Sequence, residues 1–181
     1  MSNRKQRSVK AAFGGVVAAM SIVLMFMTGV IPSLTYAIPA VSGALLMALV
    51  VEIGPAFAAT VYFSVALLSL FVVADKEAAV MYALFFGYYP IIKGLLEKRL
   101  KGFWCWLVKY IIFNIAVITA YFIITKSLLI SFDDMASFGK WAMPLLLLAG
   151  NIVFFIYDVA LTRLITVYLL RLRKYVRRIF K

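Results

Sequence analysis

The sequence predicts an all-α integral membrane protein with six transmembrane helices. Of its 181 residues, 66% are hydrophobic and only 14% are charged, and the mean hydropathy is +1.04. A soluble domain needs a far more polar exterior. A bilayer core about 30 Å thick requires about 20 mostly apolar residues per helix, and the chain contains six blocks close to that length. We therefore expect one transmembrane domain over residues 1–181.

Each predicted helix is bounded by residues that interrupt an apolar run. The first follows a basic tail over residues 1–10 and ends before Pro32. The third begins at Pro55, a residue that suits the first turn of a helix. Charged segments flank the fourth, and a longer polar connection separates the fifth from the sixth. The six helices are predicted over residues 11–30, 37–53, 55–74, 78–96, 103–124 and 141–159.

The distribution of Lys and Arg predicts the orientation. Basic residues cluster in the N-terminal tail, in the connection 98–101, and from Arg163 onward, where there are seven. The opposite side has Lys76, Lys126 and Lys140. Since basic loops stay in the cytoplasm, we expect a multi-pass cell-membrane protein with both termini cytoplasmic. A cleaved signal peptide is the competing interpretation of the N-terminus, but its apolar stretch is too long.

The last segment, residues 160–181, is predicted to be a basic amphipathic helix. It contains no acid. Such a helix continues the sixth span or lies on the anionic inner leaflet. One face is apolar and the other mostly basic: Ile165, Leu169, Leu172, Val176 and Ile179 against Arg171, Lys174, Arg178 and Lys181.

Several chemistries are excluded by composition. Histidine is absent and Cys105 is the single cysteine, which removes disulfides, His or Cys metal sites and imidazole-assisted nucleophiles. No GxxxxGK[ST] segment is present, so the chain has no P-loop. The net charge of +12 lies in short clusters between apolar blocks, as topology requires, and does not indicate nucleic-acid binding. We expect no enzyme activity, no cofactor and no metal.

A stripe of small residues lies on the first helix. Ala11, Gly15 and Ala19 recur at four-residue spacing, which allows another helix backbone to approach closely. Packing within the chain and docking of a separate membrane subunit are both consistent with this stripe.

Polar residues on the predicted outer side are candidates for solute binding. The connections before the fourth and sixth helices hold Asp75, Glu77, Asp133 and Asp134, four of the seven acids in the chain, although Asp75 also suits a helix cap. The four acids favour a ligand with cationic or hydrogen-donating groups. Polar residues within the last three predicted helices are Tyr82, Asn114, Tyr121, Thr125 and Asn151.

Two sets of polar residues are predicted to lie within the bilayer. Asn114 and Asn151 fall near the midplane and must bond each other, another side chain or a ligand, because an unsatisfied amide is costly there. Asp158 and Lys109 fall toward the cytoplasmic third. A structural ion pair between these two is favoured over a proton relay, with Lys93 or Arg163 as other possible cations for Asp158.

These features together resemble the substrate-binding S component of energy-coupling factor transporters. The resemblance covers the whole chain. It rests on the six-span layout, the stripe on the first helix, and the segments Ala74-Asp75-Lys76-Glu77 and Phe85-Phe86-Gly87-Tyr88-Tyr89-Pro90. In that family the matching face of the first helix reads Ala-x-x-x-Ala, and here Gly15 replaces one alanine.

The resemblance implies uptake of a vitamin or other micronutrient from outside. It also implies docking through Ala11, Gly15 and Ala19 on a transmembrane coupling protein that is driven by two cytoplasmic ATPases. Carried onto this chain, the ligand would lie among Asp75, Glu77, Tyr82, Asn114, Tyr121, Thr125, Asp133, Asp134 and Asn151.

Two other functions fit parts of the pattern. One is a non-transporting membrane scaffold subunit of an envelope machinery, in which the stripe and the basic tail bind proteins and the asparagines only join helices. The other is a small channel or proton-coupled carrier that uses Asp158 and Lys109. A solute binder requires a polar pocket of about 300 Å³ or more, which is expected to open outward, whereas a scaffold is expected to be close-packed.

Overall fold

The computed structural model describes residues 3–127, 142–174 and 176. Their regular structure is entirely helical, as predicted. Short 3₁₀ and π segments lie at Pro32–Leu34, Tyr82–Phe86 and Tyr168–Leu172. The α-helices are α1 Asn3–Met27, α2 Ala37–Glu52, α3 Pro55–Val72, α4 Lys76–Met81, α5 Tyr89–Arg99, α6 Phe103–Ser127 and α7 Ala142–Val167.

Among the residues that the structure describes, five helical segments are long and apolar enough to cross a membrane. The third of these, Lys76–Arg99, combines α4, the π segment and α5. The shorter apolar helix α2 has 16 residues, a length of about 24 Å. The chain is therefore a multi-pass membrane protein, and its described residues contain five to six helices that can serve as spans. The five segments are Arg4–Met27, Pro55–Val72, Lys76–Arg99, Phe103–Thr125 and Pro144–Arg171.

Helix boundaries differ from the prediction at both ends of the chain. Helix α1 begins at Asn3, so most of the expected basic tail is helical. The last helix runs past the expected residue 159 to Val167 and continues into a π segment. The apolar run ends at the first charged residues, but the helix continues through them, because a charged side chain does not break the backbone hydrogen bonds of a helix.

Contacts between helices show which helix termini lie at the same end of the bundle. A Cβ at Gly14 would lie 2.7 Å from the Phe57 ring, and one at Gly29 would lie 3.4 Å from Ala74, so α1 and α3 are parallel. The carboxylate of Glu52, where α2 ends, lies 3.3 Å from Arg173. Thus the start of α1, the end of α2 and the segment after α7 share one end.

The described charges separate between these two ends. The shared end is called the basic end below. It also includes the connection from Glu97 to Lys101, because the span Lys76–Arg99 begins at the opposite end, where Asp75 bonds Thr35, and ends at this connection. Its basic residues are Arg4, Lys5, Arg7, Lys10, Lys98, Arg99, Lys101, Arg163, Arg171, Arg173 and Lys174. The opposite end, called the acidic end, includes Asp75 and Glu77 with Lys76.

The span from α4 to α5 is the centre of the bundle. Tyr82, Phe85, Tyr89 and Lys93 on this span are almost fully buried. Helix α2 approaches it closely because position 43 is glycine; a Cβ there would clash with the backbone oxygen of Phe86. Small residues allow such contacts in membranes, where apolar surface alone gives little drive for helix association.

Candidate functional site

A network of four charged side chains lies near the basic end, between α5, α6 and α7. Lys93 Nζ is 2.6 Å from Asp158 Oδ1 and 2.8 Å from Glu97 Oε1. Lys109 Nζ is 2.7 Å from Glu97 Oε1 and 3.1 Å from Asp158 Oδ2. The structure therefore brings Lys109 and Asp158 together, as the predicted ion pair requires. Each lysine also bonds Glu97, so two cations and two anions balance.

The spacing of residues along α5 and α6 positions the side chains of this charged network. Tyr89, Lys93 and Glu97 follow one another at four-residue intervals on one face of α5. The Tyr89 hydroxyl donates to Asp158 Oδ1 at 2.5 Å. Lys109 on α6 lies 5.0 Å from the centre of the Trp106 ring, within cation–π range.

The two carboxylates of the network differ in exposure. The Asp158 side chain is 3% exposed, whereas that of Glu97 is 41% exposed. Asp158 accepts from three residues through its two oxygens. Glu97 bonds both lysines through Oε1 alone. Asp158 is thus a fixed counter-ion for the buried lysines, and Glu97 is an accessible one.

A cleft of about 580 Å³ opens beside the charged network. Its size is within the range of small-molecule sites. Gly102 helps to shape the rim, because its φ of +59° permits the tight connection between α5 and α6. The lining residues are Glu97, Leu100, Lys101, Gly102, Cys105, Trp106, Lys109, Asp158, Val159, Thr162, Arg163 and Thr166.

Two basic residues of the cleft have no acidic partner. Lys101 and Arg163 are exposed and form no ion pair with any residue that the structure describes. Helix α6 begins at Phe103, beside the cleft, and has no acid in its first turn. The positive end of its dipole is therefore not neutralised locally. The cleft combines an internal charge balance with excess positive charge at its rim.

The acidic end has a different arrangement. Asp75 caps α4, accepting from Ala78 N at 3.0 Å, and its other oxygen accepts from Thr35 Oγ1 at 2.9 Å. Glu77 accepts from the Tyr36 hydroxyl. Partial burial and the adjacent Glu77 carboxylate raise the pKa of Tyr36 above its usual range. Both predicted ligand acids of this end therefore join the segment before α2 to the start of α4.

The two asparagines that are predicted to lie near the midplane bond each other. Asn114 Nδ2 donates to Asn151 Oδ1 at 3.0 Å, and Asn151 Nδ2 donates to Asn114 Oδ1 at 3.1 Å. Each amide also donates to its own helix, at the carbonyls of Tyr110 and Leu147. All four donor positions are occupied, so this pair joins α6 to α7 and has no donor left for a ligand.

The other predicted ligand residues do not converge on one cavity. Thr125 Oγ1 donates to the Tyr121 carbonyl at 2.6 Å within its own helix, and the Tyr121 ring contacts Phe122. Tyr82 is fully buried in the core, and its hydroxyl, close to Ser42, lacks a well-formed hydrogen bond. Asp133 and Asp134 lie outside the described residues.

The small-residue stripe of α1 faces away from the described helices. Ala11, Gly15 and Ala19 are exposed, and a Cβ at Gly15 would meet nothing within 4 Å. The neighbouring Gly14 is buried against Phe57 and Val61 instead. Within the described residues, the stripe does not pack against another helix. The adjacent face of α1, which carries Gly14, packs against α3.

Three charged residues of the cleft are not among the site residues predicted from the sequence: Glu97, Lys101 and Arg163. Lys93 and Glu97 do show the i, i+4 spacing of a helical ion pair, and that spacing was the available signal. In the sequence, the basic connection that holds Lys101 indicates topology, and the position of Arg163 indicates a cation for Asp158. No sequence signal marks their position at a cavity.

Beyond α7 the chain contacts the end of α2. Tyr168 OH donates to Glu52 Oε1 at 3.4 Å, and Arg173 Nε is 3.3 Å from the same oxygen. The predicted amphipathic helix thus begins as a direct continuation of α7, and its start is attached to the bundle by Glu52.

The chain matches no protein-family model, no curated protein and no solved structure.

Proposed function

We propose that this chain is the membrane-embedded solute-binding subunit of an uptake transporter of the energy-coupling factor type. In this proposal the basic end faces the cytoplasm, following the positive-inside rule. The chain has no P-loop, so ATP hydrolysis belongs to two separate cytoplasmic ATPases, linked through a transmembrane coupling protein. The solute is a vitamin-like small molecule.

The cleft is the observation that carries this proposal. Its volume of about 580 Å³ exceeds what a vitamin-sized ligand needs. Its floor contains Lys109 and Asp158, charged groups that are expensive to bury in a membrane protein unless they serve a function or a partner. A polar cavity that reaches such groups from one end of a helix bundle is typical of a transport pathway.

The contacts at the two ends of the bundle favour a state in which the cleft is open to the cytoplasm and the outer side is closed. On the acidic end, Asp75 with Thr35 and Glu77 with Tyr36 connect neighbouring segments. On the basic end, the cleft is open. A solute captured from outside requires the acidic-end contacts to separate, and release into the cytoplasm requires the arrangement described here. This assigns Asp75 and Glu77 to a gate, whereas the resemblance assigns them to the ligand itself.

The uncovered stripe of α1 supports docking on a coupling protein. Ala11, Gly15 and Ala19 leave a face without large side chains, where a second helix can approach closely. In the proposed assembly this face contacts the coupling protein, and Gly14 on the adjacent face keeps α1 attached to α3.

A thermal-unfolding screen of the detergent-purified protein tests the proposal. The panel contains vitamins, their precursors and nucleobases, and a ligand at 100 times its Kd adds about 2.7 kcal/mol of stability. Thr162→Trp fills the cleft and is expected to abolish the shift. Thr119→Trp is the matched control, because both threonines are exposed and donate to the carbonyl four residues earlier.

Stabilisation that survives Thr162→Trp would contradict the cleft as the binding site. A protein that no compound stabilises, and whose deletion leaves uptake of the panel unchanged in cells, would contradict the transport function itself.

A membrane scaffold is the second candidate, and one observation favours it. The space between the π segment Tyr82–Phe86, α6 and α7 is filled by Phe85, Phe113 and Phe154, with ring centres 4.7 to 5.8 Å apart. Together with the closed Asn114–Asn151 pair, this packing leaves no described opening at that depth. Purification in a stable complex with envelope proteins and without ATPases would favour the scaffold.

A further inference from the structure

The charges around the cleft are unequal in number and in availability. The lining has three cations, Lys101, Lys109 and Arg163, and two anions, Glu97 and Asp158. Lys93 lies directly behind them and adds a fourth cation. The two carboxylates are already used by Lys93 and Lys109. Lys101 and Arg163 therefore face the cleft without a counter-ion among the described residues.

Glu97 is the anion that a ligand can replace. Its carboxylate contacts the lysines through one oxygen and is 41% exposed, whereas Asp158 is buried and held by three donors. If Glu97 rotates away, Asp158 alone cannot neutralise both lysines. An incoming anion restores the balance at the position that Glu97 leaves.

The start of α6 adds to the same preference. Gly102 and Cys105 line the cleft, so the first turn of a 25-residue helix lies at its edge. The free backbone N–H groups of a helix N-terminus favour anionic oxygens. Arg163 supplies a planar guanidinium, which binds phosphate or carboxylate through two parallel hydrogen bonds.

We infer that the cleft binds an anionic oxygen-bearing group, a phosphate or carboxylate, between Arg163, Lys101 and Lys109, and that this group displaces Glu97 from Lys109. That the group belongs to the transported solute rests on the proposed function; the binding of the anion does not. From the sequence, the acids of the acidic end favour a cationic ligand. In the structure Asp75 and Glu77 are bonded to neighbouring segments instead, and the cations of the cleft favour an anionic ligand.

The same chemistry has two sources, a soluble solute and the headgroup of an anionic lipid. The thermal unfolding midpoint distinguishes them. One arm titrates the detergent-purified protein with inorganic phosphate against chloride at matched ionic strength. The other compares nanodiscs of phosphatidylcholine alone with nanodiscs that also contain phosphatidylglycerol.

Three variants are measured in both arms. Arg163→Gln is expected to weaken phosphate binding about tenfold, the effect of one lost charge-assisted interaction. Glu97→Gln is expected to lower the midpoint without phosphate but to strengthen phosphate binding, because the internal competitor is neutralised. Lys98→Gln is the control: it makes the same charge change at an exposed residue next to Glu97 that does not line the cleft, and it is expected to behave as wild type.

Phosphate stabilisation with this order of variants supports a soluble anion. The same order seen only with phosphatidylglycerol supports the anion site and identifies the headgroup as its source. No phosphate or lipid effect in wild type and Glu97→Gln, or an equal loss in Lys98→Gln and Arg163→Gln, overturns the inference. A neutral solute that binds in the cleft independently of Arg163 overturns the assignment of the anionic group to the transported solute, and leaves the proposed function standing.

Discussion

The two ends of the bundle use their charged residues in different ways. At the acidic end, each acid bonds a neighbouring segment: Asp75 caps α4 and accepts from Thr35, and Glu77 accepts from Tyr36. At the basic end, buried Lys93, Lys109 and Asp158 form a network with the partly exposed Glu97 at the edge of a cleft. The number of charged residues at one end therefore does not by itself locate a binding site. The acids at one end close a connection, and the charged network at the other end borders a cavity.

The largest effect is expected at the fixed anion of the basic end. Asp158→Asn leaves Lys93 and Lys109 buried with only the half-exposed Glu97 as counter-ion. Breaking a buried pair from one side costs about 3 to 5 kcal/mol. The free energy of unfolding in detergent, compared between Asp158→Asn and wild type, measures it. A loss below that of the acidic-end variants would contradict the difference between the two ends.

An intermediate effect is expected at the acidic end. Asp75→Ala removes the cap of α4 and the acceptor of Thr35, which is expected to cost about 1 kcal/mol for the cap and about 1 kcal/mol more for the hydrogen bond from Thr35. Asp75→Asn is the matched variant, because asparagine caps helices about as well, and it is expected to retain most of the stability. Equal losses in the two variants would show that charge, and not capping, is what Asp75 contributes. Chemical unfolding of both proteins in one detergent provides the comparison.

The smallest effect is expected at Tyr36. Tyr36→Phe removes the hydrogen bond to Glu77 and is expected to cost about 1 kcal/mol at neutral pH. The pKa of Tyr36 is raised in the folded protein, so the folded state holds its proton more tightly than the unfolded state. The stability difference between wild type and Tyr36→Phe is therefore present below about pH 10 and shrinks above it, as the unfolded phenol ionises. Unfolding measured across that range checks the sign, and a difference that grows above pH 10 would contradict it.

Much of the fold could be predicted from the sequence because the bilayer imposes a length and a composition on each span. Pro55 and the Asp75 cap predict helix starts that agree with the structure within two residues. The prediction did not include the π segment Tyr82–Phe86, since an extra residue in a helical turn depends on tertiary contacts such as that of Gly43 with Phe86.

The cleft was harder to predict than the contacts that surround it. The spacing of Asn114 and Asn151 placed both amides at the same depth, and Lys109 with Asp158 likewise, so both pairs were foreseen as possible partners. Gly14 and Gly15 lie on neighbouring faces of α1, and both faces carry small side chains. The sequence therefore did not show which of the two faces packs against α3. The cleft itself arises from the end of α5 and the turn at Gly102, and a connection of that kind has no periodic signal.

Side-specific labelling of a cleft residue tests the central claim most directly. Thr162→Cys, in a chain with Cys105→Ser, places one exposed thiol in the cleft, and a membrane-impermeant maleimide is applied to right-side-out and inverted vesicles. We predict labelling from the cytoplasmic side only, at a rate that falls when the stabilising ligand is present. Labelling from the outside only, or a rate that the ligand leaves unchanged, would contradict a solute site that opens at the basic end.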